Sequence, residues 1–186
     1  MTINVDTSRH ATFPRDYPPG LAFEFHISSK AMECTSPIKQ TRLTRKGRYS
    51  EYGRIYLLTS VTKDRQTFFS DWRIAISLAK QFEQSARDDL AGSLAWVVMP
   101  DHFHWLVELK DTSLSTLVAR VKSKSNHEVN NALNRTGSIW QRGFHDRALR
   151  KEEDLKAVAR YIVLNPVRAG LVRRAGDYPL WNAIWV

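Results

Sequence analysis

Cysteine is almost missing from this chain: Cys34 stands alone among 186 residues. A single thiol can neither close a disulfide within the chain nor build a cysteine zinc site, which argues against a secreted, stapled scaffold. No basic-then-apolar leader opens the sequence, so the expected location is the cytoplasm. Long hydrophobic runs are missing too. The cleanest, Leu94 to Met99, falls far short of the roughly 20 residues a membrane span requires, and no membrane partner is expected. Acidic charge is in short supply, with 19 Asp+Glu against 28 Lys+Arg, a formal balance of +9. A pI near 9.9 is the electrostatic footprint of a protein that meets phosphate backbones, although many basic proteins meet none. Internal repeats and low-complexity tracts are also absent. What is present, a 42 % hydrophobic chain of this length, suffices for one domain with a real core.

The first 42 residues differ from the rest. Pro14, Pro18, Pro19, Gly20 and Pro37 punctuate them, and the alternation in Leu21, Phe23 and Phe25 makes at most a short strand, so 1–42 reads as an extension and 43–186 as the domain. From Arg54 the pattern sharpens. Arg54 to Thr62 is β-branched and aromatic, as in a mostly buried strand. Ser70 or Asp71 caps a helix in which Trp72, Ala75, Ile76, Ala79 and Phe82 recur at helical spacing until about Asp89. Gly92 is expected to reset the backbone before two strands, Leu94 to Met99 and Phe103 to Leu109, joined by Pro100 and Asp101 as a hairpin. Thr112 or Ser113 caps a second helix with Leu114, Leu117, Val118 and Val121 inward, ending by Gly137. Ile139 to Leu149 reads as partly extended, and Glu152 to Leu164 as a third amphipathic helix closed by Asn165-Pro166. The order is that of an α+β, ferredoxin-like split βαβ sandwich: an antiparallel sheet with helices on one face, plus a C-terminal helix carrying Tyr161.

Several residues in this frame can do chemistry. His102 and His104 flank Phe103 at the start of a strand, and the period of 2 puts both imidazoles on one face, roughly 7 Å apart along the strand. Spacing alone favours the plainer reading, two half-exposed histidines at a sheet end. Two ligands are too few for a structural zinc site, but they can hold a divalent cation with open positions for phosphate and water. On the third helix Tyr161 and Asn165 stand at i and i+4 on one edge, a phenol and a neutral oxygen ligand, or simply a rim tyrosine and a terminal asparagine. Thr116, Arg120, Lys124, His127 and Asn131 form a polar and basic stripe on the second helix, which as a class is most often just a solvated face. Arg142, Arg147 and Arg150 precede the third helix and Arg168, Arg173 and Arg174 follow it. Trp105, Trp140 and Phe144, interleaved with these charges, offer stacking planes for unpaired bases or belong to the core.

Three segments, MPDHFHWL from Met99, WQRGFHD from Trp140 and ARYIVLNPVRAGLV from Ala159, together with GRYS at Gly47 and DYPLW at Asp177, resemble the REP-associated tyrosine transposases. These are relatives of the insertion-sequence transposases that cut single-stranded DNA with one tyrosine and a His-hydrophobe-His motif. The resemblance covers about residues 43 to 186. It implies Tyr161 as the nucleophile, His102 and His104 with Asn165 as ligands of Mg²⁺ or Mn²⁺, and a metal-dependent nicking and rejoining of REP-type hairpins through a 5′-phosphotyrosine. Arg120, Lys124, Arg142, Arg147, Arg150, Arg168 and Trp140 become the expected DNA contacts, and His145 a structural residue or backbone contact. A nucleoid-associated monomer follows, with Trp181 and Trp185 docking the tyrosine helix in its own subunit. The rival expectation is a basic hairpin-binding protein that has lost turnover.

Overall fold

The computed structural model describes residues 50–150 and 154–185, so the 1–42 extension, most of the GRYS motif and Glu152 lie outside the described residues. The elements run β1 (Ile55–Val61), α1 (Trp72–Arg87), β2 (Ala91–Met99), β3 (His102–Leu109), α2 (Leu114–Ala132), β4 (His145–Ala148), α3 (Leu155–Val163), α4 (Asn165–Arg168) and β5 (Trp181–Ala183). This is the expected α+β arrangement, with an antiparallel sheet ordered β4-β1-β3-β2-β5. Asp71 and Ser113 are the N-caps of α1 and α2, each accepting a backbone N–H, from Arg73 and Thr116. Asp154 does the same for α3, from Lys156 and Ala157.

Two boundaries depart from expectation for identifiable reasons. β2 begins at Ala91, not Leu94, because a bulge between Ser93 and Ala95 absorbs the irregularity while Ala91 pairs with Leu109. The chain turns earlier, at Asp89, which takes the left-handed conformation with φ of 53°. Gly92 therefore lies within the strand, where an added Cβ would approach the Glu108 carboxylate at 3.4 Å. At the other end, α3 stops at Val163, and Pro166 opens a further helical turn, α4, in place of a plain stop.

Period-2 alternation divides the sheet chemically. Trp96 on β2 and Phe103 and Trp105 on β3 turn toward α1, where Phe82 sits among them with ring centroids 5.7, 5.2 and 4.7 Å away. Phe82, Phe103 and Trp105 are fully buried, and the Trp105 indole donates to Ser93 Oγ at 2.9 Å. Trp105 is thus core, not a surface for bases. α1 and α2 pack against each other over this face. The opposite face carries His102 and His104, and α3, packed on β2, β3 and β5, covers part of it. The C-terminal segment locks this arrangement: Tyr178 donates its hydroxyl to Val98 O at 2.7 Å, Val98 N donates to Leu180 O, and β5 pairs with β2. The DYPLW motif is a clasp.

Candidate active site

The histidine pair is built by the β2–β3 turn. Met99 pairs with His102, leaving only Pro100 and Asp101 to reverse the chain. Asp101 O is held by the backbone N–H and the hydroxyl of Thr62, at 2.8 and 3.0 Å. His102 and His104 then stand on one face, as expected from their spacing, with ring centroids 5.0 Å apart and planes at 81°. Each ring has its Nδ1 engaged: His102 with Asp101 Oδ1 at 2.6 Å and His104 with Thr59 Oγ1 at 2.8 Å. Asp101 is itself gripped by Arg65 at 2.9 Å. With both Nδ1 atoms occupied, both Nε2 atoms remain for a ligand, the orientation that outer partners impose on metal-binding histidines.

The electrostatics fit that role. Burial, reinforced by the positive ends of His102 and Arg168, pushes the His104 pKa down to about 3, so its ring is neutral at physiological pH. Burial alone would raise the Asp101 carboxyl, but its bonds to His102 and Arg65 outweigh that and hold it below the ordinary range. A neutral imidazole pair backed by a carboxylate can take up a divalent metal, and the positions it leaves open could be filled by oxygen ligands. Among the described residues no group of three or more His, Cys, Asp or Glu could hold a metal. Any third protein ligand drawn from the described residues would therefore be a neutral group.

Asn165 is such a group, and its present bonds are informative. Its Nδ2 donates to Tyr161 O and Ile162 O at 3.2 and 3.0 Å, while its Oδ1 accepts from Arg168 Nη2 at 3.0 Å. The same Arg168 nitrogen donates to Tyr161 O at 2.7 Å, and the guanidinium lies over the Tyr161 ring, 3.6 Å from its centroid. Tyr161 is 51 % exposed, whereas Tyr178 is buried and bonded, its hydroxyl pKa pushed up by burial. Tyr161, Asn165 and Arg168 thus form one cluster, and the charge of Arg168 is felt at His104.

The other expected contacts are spread out. Arg120 pairs with Asp88 at the end of α1. Lys124, Arg142, Arg147 and Arg150 are exposed. Trp140 is 5 % exposed, its indole N–H given to Ser125 Oγ at 3.1 Å and its ring packed on Phe69 and Phe103, so it stacks on protein. His145 sits exposed on β4, opposite Thr59. Sequence reasoning missed Thr59, Asp101 and Arg65. A polar residue inside an apolar strand and a carboxylate just before His102 were the available signals.

Residues 50–165, spanning both histidines, Tyr161 and Asn165, match the family model described as "Transposase IS200 like". The chain belongs to the IS200-like transposase family. Within it, this chain is 32 % identical over 87 residues to the REP-associated tyrosine transposase of Escherichia coli (strain K12). That match takes in 46 % of this chain and 50 % of the relative, so the chain spans about half the length of that relative. A provisionally named REP-associated tyrosine transposase of Haemophilus influenzae is 27 % identical over 68 % of this chain and 78 % of its own. A solved structure of a REP-associated tyrosine transposase bound to a REP hairpin superposes with a TM-score of 0.58 at 25 % identity, covering 72 % of this chain and 79 % of the other.

Proposed function

We propose that this chain nicks and rejoins single-stranded DNA at REP-like hairpins through a covalent bond to Tyr161. What supports the reading is the family match over residues 50–165, which takes in the histidine pair, Asn165 and the exposed Tyr161, whose ring Arg168 covers. The phenol oxygen forms a bond to the scissile phosphorus and the bond to the 3′ oxygen breaks. The phenolic proton is released to solvent, and the departing oxygen takes up a proton to become a 3′-OH. One phosphoester replaces another, so the step is reversible and needs no nucleotide cofactor.

His102 and His104, with Asn165 Oδ1 once Arg168 lets it go, would hold Mn²⁺ or Mg²⁺. Such an ion supplies Lewis-acid polarisation of the phosphodiester. Asp101 and Thr59 keep the imidazoles aimed, and Arg168, freed from Asn165, can pair with a phosphate oxygen. Among the described residues no helix is long and apolar enough to cross a membrane, and work on DNA fits a cytoplasmic, nucleoid-associated protein.

The test is a labelled hairpin oligonucleotide incubated with Mn²⁺ and resolved under denaturing conditions. Covalent adduct forms with the native chain, is lost in Tyr161→Phe while hairpin binding survives, and is blocked by chelator. Adduct persisting in Tyr161→Phe removes that residue from the mechanism. The Asn165–Arg168 bond, and the absence of an acidic third ligand among the described residues, favour a second reading, a hairpin binder without turnover; binding that is indifferent to chelator, with no adduct under any condition, would establish it.

A further inference from the structure

Beyond the histidine pair and Tyr161, the described surface has a hollow of about 330 Å³ between α2 and the segment leading into β4. We infer that it is a subsite for one unpaired nucleotide, base inward; the inference rests on the DNA reading above. The volume sits at the small end of ligand sites, which run from about 300 to 1,000 Å³. Its lining includes the small exposed part of Trp140, whose ring is fixed by Ser125, Phe69 and Phe103. A rigid aromatic edge is a poor host for a bare phosphate and a good one for a flat ring.

The walls offer donors. Asn126 accepts the Ile139 N–H on Oδ1 at 2.8 Å, which commits its two amide hydrogens on Nδ2 to the other side of the group. Lys122 Nζ is anchored on Gln141 O and Gly143 O at 2.6 and 2.8 Å and lies 5.7 Å from the Trp140 centroid, so its charge is held at the wall. Arg142 adds a second cation at the rim. Donors and positive charge around an aromatic edge complement a planar ligand with acceptor atoms on its edge and an anionic tether, which describes a nucleotide.

The position supports the same occupant. A smaller hollow shares Gln141, Arg142 and Gly143 with the first and reaches Thr59 and His145 on the sheet. That second hollow is only about 20 Å³, and Thr59, which lines it, bonds His104, so it lies one side chain from the histidine pair. Gly143, at φ of 80°, makes the turn between the two hollows.

The experiment measures anisotropy of a labelled hairpin with a single-stranded flank, scanning abasic replacements through the flank. For the native chain, one position loses about tenfold in affinity when its base is removed. Ser123 is exposed at the rim, so Ser123→Trp fills the hollow without touching the core. This variant is expected to bind the intact oligonucleotide about tenfold more weakly, with its urea midpoint and salt slope unchanged, and to show no sensitive position. Independently of any variant, 5-iodouracil at the sensitive position is expected to crosslink within 138–143. A flat abasic scan of the native chain, a native-like profile in a folded Ser123→Trp, or crosslinks confined elsewhere would overturn the subsite while leaving DNA binding intact. Failure of the native chain to bind any hairpin would overturn the DNA reading, and the subsite with it.

Discussion

Replacing Thr59 by valine exchanges one hydroxyl for a methyl of nearly the same shape, on the strand that holds His104. The hydroxyl lies 2.8 Å from His104 Nδ1. Because the His104 pKa is pushed down to about 3, the ring carries a single proton at neutral pH, and an acceptor at Thr59 favours that proton on Nδ1. Thr59→Val therefore orphans a polar ring atom, at about 1–3 kcal/mol, with the lower half of that range expected because the ring is only half-buried. Valine's preference for strands returns a few tenths of a kcal/mol. The urea midpoint should fall by roughly 0.5–1 M. Freed of its partner, the ring can place its proton on Nε2, and Mn²⁺ affinity by titration calorimetry should drop about 10–100-fold. Thr59→Ser keeps the hydroxyl and should retain most of the Mn²⁺ affinity. A valine variant with native midpoint and native Mn²⁺ affinity, or a serine variant that loses affinity to the same extent, would refute the argument that Thr59 sets the tautomer.

In chelator, acid should destabilise the fold earlier than carboxylate titration alone would. The unfolded chain binds a proton on His104 below about pH 6.5 and the folded chain only near 3, so stability is lost as pH falls through that window, at up to about 1.4 kcal/mol per pH unit. Asp101, held below its ordinary value, adds in the same direction once pH falls below about 4; a urea midpoint constant from pH 7 to 4 would contradict the His104 account. Tyr178→Phe leaves Val98 O without its side-chain donor and should cost about 1 kcal/mol, read as a lower melting temperature with hairpin binding unchanged. Phe82→Ala opens a hole among Trp96, Phe103 and Trp105 and should cost about 3–5 kcal/mol by chemical denaturation; a cost below 1 kcal/mol would show that those rings close over the gap.

The elements were legible where periodicity and capping agree. Asp71 and Ser113 cap α1 and α2 because each places an oxygen just ahead of an apolar helical repeat. The histidine pair was legible for a similar reason, since alternation in a strand leaves no choice about which side chains share a face. Ambiguity arose where one residue type serves two environments. Trp105 and Trp140 look alike beside arginines, yet both indoles bond to serines of neighbouring elements, contacts that depend on tertiary placement. Thr59 escaped notice because its partner is 45 positions away, across a strand pair whose register no local signal sets. The bulge at Ser93/Ala95 was hidden by Gly92, which looks like a chain reversal and is instead room for the Glu108 carboxylate.

Arg168 links what the chain separates. It follows Tyr161 by seven residues, about two helical turns if α3 ran straight, and the break at Leu164 with Pro166 opening α4 lets its guanidinium return over the ring it has passed. Without that break the side chain would project further along the axis. In the conformation described, Arg168 satisfies the Tyr161 carbonyl and the Asn165 oxygen together, so an incoming phosphate competes with two neutral acceptors for a charged donor. A phosphate adds a full opposite charge and can take the guanidinium fork in two parallel bonds, so exchange is favoured once the backbone is seated. That exchange would release Asn165 Oδ1 at the same moment. On this view the third ligand becomes available only when substrate is present, which predicts tighter Mn²⁺ binding in the presence of a hairpin than in its absence. Equal Mn²⁺ affinity with and without hairpin would mean that Asn165 is no ligand and that its bond to Arg168 is purely a helix-end contact.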